Sequence, residues 1–471
     1  MSRMLLVWVV LLALVLTGQC AAAIQAGMHW NVQTTGVATN AGGFDPTVAS
    51  PGTDESQGSG TAITVTAATT TGTGSPAFTS TTHGPGNTVI IASGAGCNTG
   101  TFEILSQAAG TATFDRSMGT GSCVGVIGGT KTLRATLASG PTVTGNTVDI
   151  KAGTYTNTTN ITVDAVSILL WGYGVTPGDN GTRPLITTAT NSVVLLSVPG
   201  GPTTVRNVNF SNTAGTRGDC INASVSAKLW VQSATFDGCQ VAINGDNGVG
   251  SALVATTYNT EIKNSISDGM RLAAGGLNTI GPGSWIHNNA GWGVELLLSG
   301  SFGISVVGAV ISVNGSGGSG GGITGVNVSG CPMLIAFSDI SHNTGPGIAP
   351  SGCALSIVNS IIYGNSTFGI ANFAGTGVSG QEINNGFGAN STANRQYTAG
   401  PSVIGDLAFS ADPATSTSNF ALNATAGGGP VAKQAGFPGI GPAGTGFADI
   451  GAIQTSGAPG TGGVSVAAYS Q

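Results

Sequence analysis

Between about residues 145 and 370, short apolar runs alternate with Gly, Ser, Thr and Asn, and four segments repeat one another. They are Ile286-His-Asn-Asn289, Ile311-Ser-Val-Asn314, Ile340-Ser-His-Asn343 and Ile362-Tyr-Gly-Asn365. Each sets an asparagine three residues after an isoleucine. A Gly-aliphatic pair then follows: Gly293-Val294, Gly322-Ile323, Gly347-Ile348 and Gly369-Ile370. The isoleucines stand 25, 29 and 22 positions apart. One coil of a β-solenoid has this length: an apolar side chain enters the core, the chain turns at Asn, and the Gly-aliphatic pair starts the next strand. Phe210, Phe236 and Ile266 are read as earlier anchors of the same series. Two residues before the anchors stand Val208, Ala234, Asn264, Ser284, Ala309, Ser338 and Ser360, a mostly small inward column. Asn289, Asn314, Asn343 and Asn365 are predicted to stack their amides from coil to coil, or to cap a left-handed turn residue, as a structural ladder without chemistry.

The solenoid is predicted to open near Gly145 to Tyr155 and to run on through Ile161-Thr-Val163, Val166 to Leu170 and a Trp171-Gly-Tyr-Gly174 turn. Ahead of it the pattern changes. Ile63 to Thr66, Thr88 to Ile91, Thr101 to Leu105 and Thr111 to Phe114 alternate with a period of two between turn clusters such as His83-Gly-Pro-Gly-Asn87. Such patterning reads as antiparallel strands, here a small β-domain that covers the open first edge of the solenoid. Beyond Ile370 the periodicity fades into a loop-rich closing section and a polar, Gly-rich tail. The expected layout is a signal peptide at 1–23, an N-terminal β-rich domain at 24–140, a parallel β-helix at 141–400, a C-terminal closing segment at 401–454 and a flexible tail at 455–471.

The ends and the composition narrow the setting. Arg3 precedes an unbroken apolar run from Leu5 to Leu16, with small residues at Ala21 to Ala23, which reads as a secretory signal cleaved near Ala23. Thr17-Gly-Gln-Cys20 matches a lipobox only loosely, because Gln19 stands where a small residue belongs. No second apolar segment reaches membrane length. Charged residues make up 7% of the chain and the net charge is −6, with no basic stripe to hold nucleic acid. Without Cys20 six cysteines remain, in three local couples: Cys97 with Cys123, Cys220 with Cys239, and Cys331 with Cys353. Cys331 and Cys353 each lie nine residues before an anchor, so they stack on neighbouring coils at about 4.8 Å, within disulfide reach. A Cys331–Cys353 staple is expected, with a stacked pair of free thiols as the alternative. Cys220 and Cys239 come less cleanly into register.

The Ala152-Gly-Thr-Tyr155 opening, the Ile-x-x-Asn coils and the closing Asp449-Ile-Gly-Ala-Ile-Gln454 resemble secreted right-handed parallel β-helix repeat proteins of the pectin-lyase-like superfold, over roughly residues 145 to 454. The segment Trp30 to Gly36 with Gly42-Gly-Phe-Asp45 resembles the opening of β-helix proteins from environmental bacteria and their phages. The resemblance implies an all-β solenoid; the superfold spans lyases, hydrolases, tailspikes and adhesins, so it names no reaction.

Candidate chemistry is sparse. A galacturonan hydrolase would bring several aspartates to one face beside a histidine and basic residues, and no Asp-Asp, Gly-His-Gly or Arg-Ile-Lys occurs. Asp237-Gly238 and Asp268-Gly269 read as turns in which Asp bonds its own backbone. A lyase needs a base and a group to neutralise a uronate carboxylate, which leaves Glu261, Lys263, Arg271 and Glu295. Arg271 and Glu295 are placed outward on consecutive coils, followed by Thr324, Ala349 and Ala371. A cross-strand ion pair is the simplest reading. In the catalytic alternative Lys263 or Arg271 is the base, Glu295 is a metal or substrate ligand, and Ca²⁺ enters only on that reading. His287 and His342 fall at turn positions, and His29 and His83 lack partners at metal spacing. No cofactor motif is found. The leading expectation is a secreted or cell-surface protein with a structural or binding role that contacts polysaccharide or a surface glycan. A carbohydrate-active enzyme is the second reading. A phage-type receptor-binding fibre, which would be a trimer, is the third.

Overall fold

A computed structural model describes residues 29–34, 43–44, 60–78, 88–128 and, short intervals aside, 133–433, with 451, 454–455 and 463–464. The signal segment and most of Asp449 to Gln454 lie outside the described residues. Three sheets, of 13, 11 and 9 strands, run the length of a solenoid, parallel throughout except for Gly43–Phe44, which lies antiparallel to His29–Val32 at the first edge. Each coil contributes one strand to each sheet in turn. The coil from Ala227–Gln232 through Thr235–Asp237 to Ile243–Asn244 is representative. Its first strand alternates, with Leu229 and Val231 buried and Lys228 and Trp230 exposed, because one pleat face meets the core and the other meets water.

Single left-handed residues make the corners. Between the first and second sheets they are Asn207, Ser233, Asn259, Phe337, Asn359 and Asn384, with glycines at 283, 308 and 405. Between the second and third they are Asn264, Asn288, Val313, His342 and Ala389, with Gly238 and Gly364. Asn is common there because its short side chain tolerates positive φ. The residue after each second corner is the ladder position. Nδ2 of Asn289 donates to Oδ1 of Asn314 (2.9 Å), Asn314 to Asn343 (3.1 Å), Asn343 to Asn365 (2.9 Å), and Asn365 to Asn390 (3.0 Å), a rung the sequence reading omitted. A second polar column lines the first corner, where the backbone N–H of Ser338 donates to Ser360 Oγ (3.2 Å) and that of Ser360 to Asn385 Oδ1 (3.0 Å). Those small inward residues therefore also bond across coils.

Inside, Phe210 and Phe236 stack with centroids 5.0 Å apart and planes at 2°. The column continues through Ile262, Ile286, Ile311, Ile340, Ile362 and Phe387. Ile266 is not an anchor. It is 45% exposed, because Asn264 is the left-handed corner (φ 57°) and Ser265 takes the ladder position. Ile262 is the anchor, with Thr260 rather than Asn264 two residues before it. Trp171 to Tyr173, expected as a turn, finish the strand Ile168–Tyr173.

Two segment boundaries also move. His29–Val32 pairs in parallel with Thr147–Lys151, so the first sheet begins before residue 141. Six antiparallel strands between Gly60 and Gly128 form a closed barrel inserted after that first strand. At the other end Ser402–Ile404 and Leu407–Ala408 still belong to the first and second sheets. The hairpin of Ala414–Ser416 and Asn419–Leu422 folds back onto the outside of the second sheet, where Ala414 and Phe420 pack on Val310 and Trp285. All three cysteine couples are bridged, with Cα separations of 5.7 Å (Cys97–Cys123), 5.5 Å (Cys220–Cys239) and 4.6 Å (Cys331–Cys353). Among the described residues no helix is long and apolar enough to cross a membrane.

Candidate functional site

Arg271 and Glu295 stand directly across from each other on neighbouring strands of the third sheet, both outward, with Thr324 and Ala349 next in the column. Arg271 Nε donates to Glu295 Oε2 at 2.9 Å, and Nη2 donates to Asp268 Oδ2 at 2.5 Å and Ser267 Oγ at 3.2 Å. Asp268 sits at the corner just before the strand and is buried. Its Oδ1 accepts from the Trp292 N–H at 2.7 Å, one coil on, rather than from its own turn. Asp237 likewise accepts across the coils, from Asn264 Nδ2 at 2.8 Å. Burial pushes the Glu295 carboxyl up, and Asp268 beside it adds to the rise against the pull of Arg271. Burial draws the Arg271 guanidinium down, but Asp268 and Glu295 outweigh it and hold it above its ordinary value. A guanidinium in that state does not take up a proton as a base. With both carboxylates committed to Arg271, the cluster does not fit the open oxygen cage that Ca²⁺ needs. Among the described residues no three His, Cys, Asp or Glu side chains are grouped to hold a metal.

Lys263 does not join that cluster. It lies on Glu261–Lys263 of the second sheet and bonds Glu261 Oε2 at 3.0 Å. Nε2 of His287, on the next strand, is 3.2 Å from Glu261 Oε1, and the ring stacks on Trp285 at 3.8 Å. The His287 hydrogen bond, with Lys263 adding to it, holds Glu261 down at about 2 despite burial. His287 is thus a strand residue, whereas His342 does occupy a corner and meets Asp412 of the closing segment at 3.0 Å.

The outer face of the first sheet carries a set the sequence reading did not assemble. Trp230 is 49% exposed, with Thr204 and Thr256 directly beside it on the neighbouring strands. Lys228 and Gln232 flank it along its own strand, and Tyr258 pairs with Gln232. Leu277 lies two coils on from Lys228 and is 45% exposed. Arg206, next to Gln232, lays its guanidinium over the Trp171 indole at 4.9 Å. Neither Arg206 nor Lys228 has a carboxylate partner among the described residues, unlike Arg271, Lys263 and Arg395. The period-two run Ala227 to Gln232, with a Trp at an outward position, is the signal that could have marked this face.

No protein-family model and no curated protein matches the chain. Solved structures do. Pectate lyase Pel9A is similar at 17% identity and a TM-score of 0.43, covering 69% of this chain and 91% of its own. The catalytic domain of a GH87 α-1,3-glucanase is similar at 13% identity and a TM-score of 0.32, covering 73% and 88%. The A-module of the mannuronan C-5 epimerase AlgE4 of Azotobacter vinelandii is similar at 16% identity and a TM-score of 0.32, covering 55% and 90%. Likeness at this level fixes no substrate and no reaction. By its own three sheets, single-residue corners and Asn column, the protein is an all-β parallel β-helix.

Proposed function

We propose that the protein is a secreted polysaccharide-binding β-helix that lays its ligand on the outer face of the first sheet. The observation that carries this reading is Trp230, a half-exposed indole on a regular sheet held by parallel pairing on both sides. An indole face takes the apolar C–H face of a pyranose, and its fixed position costs little ordering on binding. Gln232, Thr204, Thr256 and Thr279 offer amide and hydroxyl groups for exchange with sugar hydroxyls. Lys228 and Arg206, without carboxylate partners among the described residues, favour a chain that bears acidic groups. The Arg271 cluster, already closed by its own hydrogen bonds, supports a structural ion pair better than a catalytic couple.

Binding of the full chain to immobilised neutral and uronate-rich polysaccharides tests this. Trp230→Ala is expected to weaken binding about 30-fold, from roughly 2 kcal/mol for a central aromatic anchor. Lys228→Gln and Arg206→Gln should weaken it chiefly for acidic chains and make it less dependent on salt. Unchanged binding by Trp230→Ala overturns the proposal. Reducing-end and unsaturated-uronate assays, run in parallel, test the enzyme reading. Cleavage abolished by both Arg271→Ala and Glu295→Ala, with the fold intact, would move the function to the third sheet.

A further inference from the structure

We infer that the inserted barrel carries a second sugar site, a cavity that takes one neutral pyranose. It does not rest on the reading of the first-sheet face. The cavity has a volume of about 410 Å³ and is lined by Cys97, Asn98, Thr99, Phe102, Arg116 and Ser117. That volume is in the range of small-molecule sites, and the lining gathers a few convergent polar groups above the buried Phe102 ring, which Arg116 covers.

Its walls are fixed before any ligand arrives. Cys97 is bridged to Cys123 and pairs with Gly119, and the Asn98 N–H donates to the Met118 carbonyl at 2.8 Å. Asn98 Nδ2 donates to the Ser117 carbonyl at 3.0 Å, and Ser117 Oγ accepts from the Gly119 N–H at 3.2 Å. The Arg116 guanidinium lies over the Phe102 ring at 4.6 Å, and its Nη1 donates to Asp115 Oδ2 at 2.7 Å. Cation–π contact and ion pair together hold the guanidinium plane in one orientation.

The ligand class follows from this chemistry. Arg116 is already neutralised by Asp115, so an anion would have to compete with a carboxylate held on the same guanidinium. A sugar hydroxyl both donates and accepts. It therefore suits a lining in which a guanidinium and an amide N–H donate, an amide carbonyl accepts, and the Thr99 and Ser117 hydroxyls do either.

Saturation-transfer NMR and calorimetry on the full chain, with the methyl pyranosides of glucose, galactose and mannose and with glucuronate as probes, test the site. At least one neutral pyranoside should bind, and Arg116→Gln and Asn98→Ala should each weaken it about tenfold, as for one lost hydrogen bond in a polar site. Ser117→Ala, at an exposed position, should weaken it too and serves should Arg116→Gln fail to fold. All six tryptophans lie outside Gly60 to Gly128, so binding in the barrel should leave indole fluorescence unchanged. Absence of binding by every neutral pyranoside overturns the inference. So does tighter binding of glucuronate, affinity indifferent to Asn98→Ala and Ser117→Ala, or quenching of indole emission in step with binding.

Discussion

Asn343 is an internal rung of the asparagine column, and its removal has a calculable cost. Its Nδ2 donates to Asn365 Oδ1 (2.9 Å) and to the Ile311 carbonyl (3.2 Å). Its Oδ1 accepts from the backbone N–H of Asn314 (3.0 Å) and from Asn314 Nδ2 (3.1 Å). The side chain is fully buried. Asn343→Ala strands the Asn314 N–H, at about 1–3 kcal/mol for a buried donor left unpaired. Three other bonds are lost, but Asn314 Nδ2 keeps the Ile286 carbonyl and Asn365 Oδ1 keeps the Asn343 N–H. At about 0.5–1.5 kcal/mol each, they bring the total to roughly 2.5–7.5 kcal/mol. Urea midpoints at constant slope measure it, with Ser366→Ala, exposed in the equivalent turn one coil on, as a control expected within about 0.5 kcal/mol of the parent. A loss below about 1 kcal/mol would refute the reasoning and leave the apolar column as the main source of coil stability. Asn343→Asp adds a sign test. A buried carboxylate there has no proton to give to Asn365 Oδ1, so its folded pKa rises above the unfolded value of about 3.9. The folded state then holds the proton more tightly, and this variant should become more stable as pH falls through the raised pKa.

The other expectations rest on different contacts. Glu261 is held at about 2 against an ordinary 4.5, so its contribution is present above pH 4.5 and is lost as pH falls toward 2. Glu261→Gln should flatten that acid limb of a melting-temperature profile, and an unchanged limb counts against the His287 and Lys263 contacts. Glu295 shifts the other way, so its carboxyl favours the folded state when protonated, and that contribution fades as pH rises through its raised folded pKa. Glu295→Gln should be least costly at neutral pH, by the same melting series. Replacing both Cys331 and Cys353 with Ser opens a 22-residue loop and should cost about 3 kcal/mol in denaturant titration, whereas a loss near zero would indicate that the coils are held without the bridge.

The coil was legible because its inward positions repeat. Ile286, Ile311, Ile340 and Ile362, their asparagines and the Cys331–Cys353 bridge all depend on one register, and a single repeat reveals it. One coil earlier the same logic fails. Ile262 and Ile266 are both apolar and four residues apart, and spacing alone does not choose between them. The choice is made by Asn264 turning left-handed, a backbone property. The start of the solenoid was hidden for another reason: His29–Val32 and its partner Thr147–Lys151 are separated by an inserted barrel, so no local period joins them. The candidate sites were less legible still. Arg271 and Glu295 were visible because equal spacing puts them in one outward column. From sequence Asp268 reads as a local turn, because its bond to the Trp292 N–H is made only between coils. Trp230, Lys228 and Arg206 come from different strands, and only the pairing of Thr204 with Trp230 and Arg206 with Gln232 shows that they share a face.

The last coils change the chemistry of the shaft. The first-sheet inward position held by Ile357 passes to Glu382, and the third-sheet position held by Ile370 passes to Arg395. Glu382 is fully buried and bonded to Arg395, which also bonds Asp406 and lies over the Phe387 ring at 4.1 Å. An apolar shaft that ran on to the last strand would present unpaired strand edges above a greasy core, a template for end-to-end stacking; inward charges near an edge prevent this. Removing Arg395 alone should cost about 3–5 kcal/mol, because Glu382 is left buried without its partner. Replacing Glu382 and Arg395 together with Leu removes the stranded Glu382 charge and should cost less than removing Arg395 alone, with Asp406 the one carboxylate left without its partner. That double variant should self-associate more than the parent in sedimentation velocity, increasingly so with concentration. If it folds and associates no more than the parent, these charges do not guard the end, and the closing segment folded along the second sheet does so without them.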